Sequence, residues 1–323
     1  MTIVITMAKL ILAMALGFYL GKKEVLDANT VKKVSSIIVT FTGPAMVLGS
    51  VADMGGQSLE SVLTLLIYGM ICYACLPFIG YLFGKLLKVD KDLVGTYMLT
   101  ILLCNNTFMG FPVVQSLFGN DAVFLTAVLH FAFNIMFYTL GLAVIRKDGA
   151  RTEMSKCCGK DEQQMKSESK SFRWKNLINP GTIAAIAAMI IFFGGLEVPA
   201  IIVQPVTFVG ALTMPLSMIL IGANMSRYKM KEVLGDWRIY LVALVRLLLL
   251  PVLVYITASL VLTDTRLVQI AAITFGMPVA ALVAMGTAEY EKQGKVGAIA
   301  VAFTTICSMI TIPIWAILLG VSL

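Results

Sequence analysis

The tetrapeptide Gly-Phe-Pro-Val at residues 110–113 is matched by Gly-Met-Pro-Val at residues 276–279, in the far half of an equally apolar chain. Proline has no backbone N–H, and its ring clashes with the carbonyl four residues earlier, so each copy should interrupt a helix. The glycine before each proline lets the chain turn without a steric penalty. The repeated motif therefore predicts two interrupted helices, one in each half of the chain.

The composition around these motifs is that of a membrane protein. The 323 residues are 59% hydrophobic and 13% charged, and the mean hydropathy is +0.91, which leaves too little polar surface to cover a water-soluble globule. A helix needs about 20 apolar residues to cross a bilayer. With charged and turn-rich clusters taken as breaks, the sequence predicts ten spans, near residues 2–21, 34–53, 61–84, 93–119, 122–145, 180–196, 200–226, 238–262, 266–288 and 296–322.

The positive charges give these spans an orientation. Of the 25 Lys and Arg residues, 22 fall in the connections that follow the odd-numbered spans. Such loops stay on the cytoplasmic side, so we expect a multi-pass protein of the plasma (inner) membrane with both termini outside. Topology thereby explains the net charge of +7, and a nucleic-acid partner is not expected.

Further prolines indicate that the chain contains two copies of one unit. Three prolines of the first half recur in order in the second, as the pairs Pro44 and Pro215, Pro77 and Pro251, and Pro112 and Pro278. Because each unit has an odd number of spans, the second copy would enter the membrane from the opposite side and form an inverted repeat. We expect a first five-helix repeat at residues 1–145, a charged cytoplasmic linker at 146–178 and a second, inverted repeat at 179–323.

Four features carry a family resemblance: Asn105 ahead of the first Gly-x-Pro, the second Gly-x-Pro-Val, Asn179-Pro180 opening the sixth span, and Arg246 with Pro251 in the eighth. With these features the chain resembles the auxin efflux carrier family, which contains plant auxin carriers and bacterial malonate and malate permeases. The resemblance covers nearly the whole chain apart from the linker. Many plant members have a long hydrophilic loop that is absent here, so the chain is more similar to a bacterial member.

The resemblance implies an all-α fold of the bile-acid-symporter type. In that fold spans 1, 2, 6 and 7 form a scaffold, spans 3–5 and 8–10 form a moving transport unit, and the broken spans 4 and 9 cross each other. An elevator-type motion and a homodimer formed through the scaffold helices are also implied by the resemblance.

Two broken helices that cross near the middle of the membrane would make an anion site. Half-helix N-termini carry partial positive charge, and unwound backbone supplies further polar groups. We expect substrate-binding residues at Asn105, Asn106, Gly110, Pro112, Gly276, Met277 and Pro278, with Thr42, Phe111 and Phe133 adding to the shape of the pocket. In the family that the chain resembles, the Asn seven residues before this proline contacts substrate, and Asn105 occupies that position. The alternative is that Asn105 and Asn106 only cap the broken helix.

Span 5 carries a polar stripe, since His130, Asn134 and Tyr138 follow one another at four-residue spacing on one helix face. Such a stripe should face a cavity or a neighbouring helix rather than lipid. Asn134 and Tyr138 are candidates for substrate contact or for hydrogen bonds between helices. His130 is a candidate proton carrier or a packed core residue. It is the single His of the chain, which excludes a multi-His metal site.

Arg246 lies deep in span 8, where an Arg costs roughly 3 kcal/mol on insertion scales. It could attract a carboxylate substrate or anchor helix ends and carbonyls within the transport unit. The acidic residues, by contrast, fall at or near span ends. Coupling through a buried carboxylate is therefore disfavoured, whereas Na⁺ binding by carbonyls and hydroxyls stays open.

Together these features predict a secondary transporter of a small organic anion, a mono- or dicarboxylate of malonate, malate or auxin type, that works by alternating access without a cofactor or a metal. An enzyme is not expected, because the sequence has no H-E-x-x-H motif, no G-x-S-x-G motif and no pair of buried carboxylates. Two alternatives stay open. One is a sodium-coupled organic anion symporter of the bile-acid-symporter type, and the other is a channel or a substrate sensor that uses the same pocket. The expected partners are the substrate, membrane lipid and a second copy of the chain.

Overall fold

The computed structural model describes residues 2–53, 57–148, 179–227, 235–287 and 290–321. Within these ranges the regular structure is helical, apart from an isolated antiparallel bridge between Cys104 and Val279. In chain order the helices are α1 Thr2–Lys22, α2 Ala28–Ser50, α3 Leu59–Leu86, α4 Val94–Leu102, α5 Phe111–Phe118, α6 Asp121–Asp148, α7 Pro180–Phe193, α8 Ala200–Met225, α9 Trp237–Val261, α10 Thr265–Phe275, α11 Ala281–Thr287 and α12 Glu291–Leu318.

Several of these helices are long and apolar enough to cross a bilayer. Among the described residues, six satisfy both requirements, namely α2, α3, α6, α8, α9 and α12, and α7 and α10 are shorter apolar helices. The predicted all-helical, multi-pass membrane protein is therefore confirmed, while the count of ten spans and the inverted repeat stay predictions. Helix α6 continues to Asp148, so the expected linker begins with helical residues, and its remaining residues 149–178 lie outside the described ranges.

Some of the prolines are accommodated by wider helical turns. A π-helical turn ends two residues before the ring in three places: Ile38–Thr42 before Pro44, Asn106–Gly110 before Pro112, and Val245–Leu249 before Pro251. In a π turn the hydrogen bonds reach one residue further back than in an α-helix. The wider turn leaves room for the proline ring, which would otherwise clash with the carbonyl four residues earlier, and proline has no N–H to bond to that carbonyl. Pro77, in contrast, sits inside the uninterrupted α-helix α3.

One group of helices packs through glycines. Helix α1 lies against the second half of α8, where Gly17 faces the backbone of Ile219 and Gly222 faces the backbone of Met14. A Cβ added at Gly17 would lie 2.0 Å from the carbonyl oxygen of Ile219, so no other residue fits this close approach. The second half of α2 packs against the first half of α8 and against α7. Small residues at such contacts are typical of helix pairs in membranes.

The remaining helices form a second group. Helix α3 packs along α4 and α6, α9 packs on α10 and α12, and α11 packs on α12. Gly80 and Gly84 of α3 again lie against backbone, at Met98 and Val94 of α4. This group contains both interrupted helices and therefore positions the site described next.

Candidate functional site

The two interrupted helices meet at their breaks. Helix α4 ends at Leu102 and α10 ends at Phe275. The segments that follow them run antiparallel, because the Asn105 N–H donates to the Pro278 carbonyl at 2.9 Å and the Ala280 N–H donates to the Leu103 carbonyl at 2.9 Å. Each break thus supplies hydrogen-bond partners for backbone groups that are left free where the other helix ends. Backbone buried in a membrane needs such partners, because no water is available to it. We call this pairing the crossing.

The first break lies ahead of the Gly-Phe-Pro-Val motif and not within it. Leu103 has extended backbone angles, φ −100° and ψ 113°, whereas Gly110 is helical and Pro112 is the second residue of α5. The π turn Asn106–Gly110 runs directly into α5, so Pro112 lies inside one helical segment that begins at Asn106, and the π turn accommodates its missing N–H. In the second half the break falls within the motif, at residues 276–280.

The expectation that the motif glycines supply turning freedom is wrong. Gly110 has φ −60° and Gly276 has φ −80°, values that any residue adopts. Both glycines instead leave space for neighbours. A Cβ at Gly276 would lie 3.1 Å from the Ala272 carbonyl oxygen and 3.3 Å from Cβ of Pro251.

A cavity of about 70 Å³ adjoins the crossing. At about 10–15 Å³ for a single water, it has room for several waters or for a small anion in their place. Its walls come from the crossing, from α6, from the middle of α2 and from the start of α7. Its polar and small lining residues are Gly43, Pro44, Cys104, Asn105, Asn106, Thr107, Ala127, His130, Asn134, Tyr138, Asn179, Gly181, Ala185, Ala280 and Ala281.

The predicted site residues fall into two sets. Those that line this cavity are Asn105, Asn106, Phe111, His130, Phe133, Asn134 and Tyr138. Those that lie outside its lining are Thr42, Gly110, Pro112, Arg246, Gly276, Met277 and Pro278. The polar stripe on α6 and the Asn pair thus come together at one cavity, while the motif residues shape the backbone beside it.

Sequence reasoning missed several lining residues. Cys104 and Thr107 were passed over because the break was expected further along the chain. Asn179 was noticed only as the start of a span, yet its Oδ1 accepts the Thr182 N–H at 2.9 Å and caps α7 beside the cavity. The Asn-Pro pair is a helix-start signal, and this signal could have indicated that the beginning of α7 is an element of the site.

Arg246 connects both breaks. Its side chain is 0% exposed. Its Nε donates to the Met277 carbonyl at 3.0 Å and its Nη1 donates to the Ile101 carbonyl at 2.7 Å. Two of its guanidinium nitrogens thus hold helix-end carbonyls, while its Nη2 is buried without a hydrogen-bond partner.

Buried polar atoms without a hydrogen-bond partner are concentrated around the crossing. They include both side-chain polar atoms of Asn106, Nδ2 of Asn134, Nδ1 of His130, and the hydroxyls of Thr42 and Thr274. An unpaired buried donor or acceptor costs about 1–3 kcal/mol, so such a concentration makes this region the candidate binding site. Within the described ranges, no group of three or more His, Cys, Asp or Glu side chains is placed to hold a metal ion.

Comparison with known sequences identifies the family. The profile of the family described as "Membrane transport protein" matches residues 2–316. The chain belongs to this family, the auxin efflux carriers. The resemblance read from the sequence is therefore confirmed, and the protein is a membrane transport protein.

Two archaeal relatives match this transporter along most of its length. An uncharacterized transporter of Methanocaldococcus jannaschii is 22% identical over 306 residues, which cover 93% of each chain. An uncharacterized transporter of Methanothermobacter thermautotrophicus is 22% identical over 317 residues, which cover 97% of each chain.

His130 of this transporter is enclosed by aromatic rings. Its ring stacks on Phe133 with centroids 4.6 Å apart and meets the edge of Phe111 at 5.5 Å. Its Nε2 lies 3.3 Å from the hydroxyl oxygen of Thr107. The geometry favours the packed core residue over the proton carrier.

A second and larger cavity of the transporter, of about 510 Å³, adjoins the first. Asn105, Phe108 and Ala281 line both cavities. The remaining walls come from α11, from α12 and from the end of α8, together with Ser35 and Tyr290. The segment that carries the crossing therefore separates a small cavity from a large one.

Proposed function

We propose that this transporter is a secondary carrier of a small organic anion, a mono- or dicarboxylate of malonate, malate or auxin type, which binds at the crossing and moves by alternating access. The observation that carries the proposal is the set of unpaired donors beside the small cavity. Asn106 and Asn134 each have a buried side-chain NH₂ group without a partner, and a carboxylate is an acceptor at both of its oxygens.

The electrostatics of the crossing support an anionic substrate. Arg246 binds carbonyls at the end of α4 and just beyond α10, so the partial negative charge at these helix ends is compensated. The partial positive charge at the helical turn that begins at Asn106 is then left beside the cavity. No Asp or Glu is among the described residues that line either cavity.

The proposal includes ten spans in two inverted repeats that work as an elevator. The reciprocal hydrogen bonds at the crossing support the repeat, since each half contributes one donor and one acceptor. Thr42 and Thr213, which precede the paired Pro44 and Pro215, also share a feature, because each has a buried hydroxyl without a partner. The two packing groups support a scaffold of α1, α2, α7 and α8 and a transport unit of the other helices. The homodimer through the scaffold rests on the family resemblance.

Thermal stability of the purified protein against a panel of carboxylates tests the binding site. Ligand that binds the folded state stabilises it by about 2.7 kcal/mol at a hundred times its Kd. We expect one acid to raise the Tm of the wild type but not that of Asn105→Ala. Asn29→Ala is the matched control, because Asn29 is exposed at the start of α2, and it should behave like the wild type. Equal stabilisation of Asn105→Ala would place the binding site elsewhere.

Flux across proteoliposomes then tests the mechanism with the acid that binds. Saturable counterflow is expected for a carrier, whereas a channel gives none and a sensor binds without any flux. Uptake compared in Na⁺ and in choline separates the proposal from the sodium-coupled symporter, which would need Na⁺ for uptake.

A further inference from the structure

The larger cavity carries a positive charge that the proposed crossing site does not use. Among the described residues that line either cavity, Lys295 is the only Lys, Arg, Asp or Glu. It is exposed and lies in the second turn of α12. Asn224 and Ser35 line the same cavity, so a lysine and two polar residues border one space, and no carboxylate is among its described lining residues.

The cavity extends along one face of α12. Lys295, Ala298, Ala302 and Thr305 line it, and at 1.5 Å per residue the first and last of these are about 15 Å apart along the helix. Thr304, beside the deep end, accepts the Val279 N–H of the crossing at 3.1 Å. The cavity thus leads from the crossing to the end of α12 at which Lys295 stands.

The neighbouring lysine of the same helix differs in its contacts. Lys292 lies 3.5 Å from Asp92 and 3.9 Å from Asp90, and it does not line the cavity. Lys295 forms no ion pair within the described ranges. Among the described residues, the charge of Lys295 thus has no carboxylate partner, whereas Lys292 lies near two carboxylates.

We propose that the larger cavity is a second anion site, in which Lys295 binds the carboxylate substrate before it passes Asn105 and Phe108 to reach the crossing. This inference rests on the proposed function of the crossing as an anion site. Lys295 and the deep end of the cavity are about 15 Å apart along α12, which is longer than a malonate or malate molecule. One substrate molecule therefore cannot occupy both sites at once and binds them in succession. Asn105 and Phe108 line both cavities and form the partition between them.

Charge-selective labelling tests this site without reference to any substrate. In the variant Ala298→Cys, one turn from Lys295, the rates of modification by anionic and cationic methanethiosulfonate reagents are measured by mass spectrometry of the peptide. A unit charge a few ångströms away should favour the anionic reagent by about threefold to tenfold, and less at high salt. Adding Lys295→Gln should remove this preference, while adding Lys292→Gln should leave it. A preference that survives Lys295→Gln overturns the proposal.

Uptake of labelled malonate into proteoliposomes is the second arm. Lys295→Gln should raise KM about fivefold and reduce its salt dependence, because attraction into the cavity is lost, with Vmax close to that of the wild type. Lys292→Gln should match the wild type, and Lys295→Arg should retain a low KM. An unchanged KM in Lys295→Gln contradicts the proposal. If no variant transports malonate but the labelling preference depends on Lys295, the second anion site is supported and the proposed substrate class fails.

Discussion

Arg246 is the residue on which both breaks converge, and its removal has a calculable cost. Arg246→Met leaves the Ile101 and Met277 carbonyls buried without a donor, and loses two charge-assisted hydrogen bonds. We expect a loss of about 2–4 kcal/mol in the free energy of unfolding, measured by denaturation in detergent. Arg246→Lys should recover only part of it, because an ammonium group lacks the guanidinium fork. Lys85→Met, at an exposed position of α3, is the control, and an Arg246→Met protein as stable as this control would rule out the anchor.

His130 tests the difference between packing and proton transfer. Because its ring stacks on Phe133 and contacts Phe111, we expect His130→Phe to fold and to keep the pH dependence of substrate uptake. The measurement is the pH profile of uptake into proteoliposomes for both proteins. A profile that flattens in His130→Phe would identify His130 as a proton carrier.

Sequence reasoning found the side chains of the site better than it found the break. Asn105, Asn134 and Tyr138, each a candidate from the sequence, line one cavity, because residue spacing on one helix and a buried polar group both carry information in a membrane. The position of the first break was missed, because a proline interrupts a helix only where its absent N–H was needed. Here the π turn accommodates Pro112 within a helical segment that begins at Asn106. The break precedes that segment, where the backbone of Asn105 pairs with that of Pro278, and these two residues are far apart in the sequence.

At the scale of the helix, Asn106 is the first residue of the π turn before Pro112, and we expect this turn to set the direction of its side chain. Pro112→Ala restores an N–H that can bond one turn earlier, so we expect an ordinary α-helical turn to replace the π turn. Asn106 would then rotate away from the cavity. We expect the Tm without ligand to stay within a few degrees, since the added hydrogen bond offsets the lost proline rigidity. The rise in Tm with the stabilising acid should shrink.

Pro77→Ala is the control for this change, because Pro77 lies in a helix without a π turn. Its ligand-induced rise in Tm should equal that of the wild type. A full response in Pro112→Ala would mean that the π turn does not orient the binding residues. The paired prolines Pro77 and Pro251 are not equivalent in structure, because Pro251 follows the π turn that contains Arg246, whereas Pro77 lies in a helix without a π turn.

At the scale of the whole molecule, composition and charge pattern were enough to predict a helical membrane transporter, because hydropathy is a property of each segment alone. The grouping of the helices was open only to analogy. It depends on close contacts between distant segments, such as Gly222 of α8 against the backbone of Met14 in α1. No local pattern distinguishes such a glycine from one in a lipid-facing helix.

An elevator motion requires the two packing groups to move past each other, and one contact between them allows a direct test. The Ser116 hydroxyl of α5 lies 3.7 Å from the sulfur of Met214 in α8, so cysteines at these positions can be joined by a short bifunctional methanethiosulfonate. Uptake into proteoliposomes should then fall to background and return on reduction. The matched control joins cysteines at Asp90 and Lys292, whose Oδ2 and Nζ atoms lie 3.9 Å apart. Both positions are outside the proposed scaffold, so this link should leave uptake unchanged. If the protein joined at Ser116 and Met214 transports at the rate of the unjoined protein, α5 does not move relative to α8, and alternating access must arise from smaller rearrangements at the crossing itself.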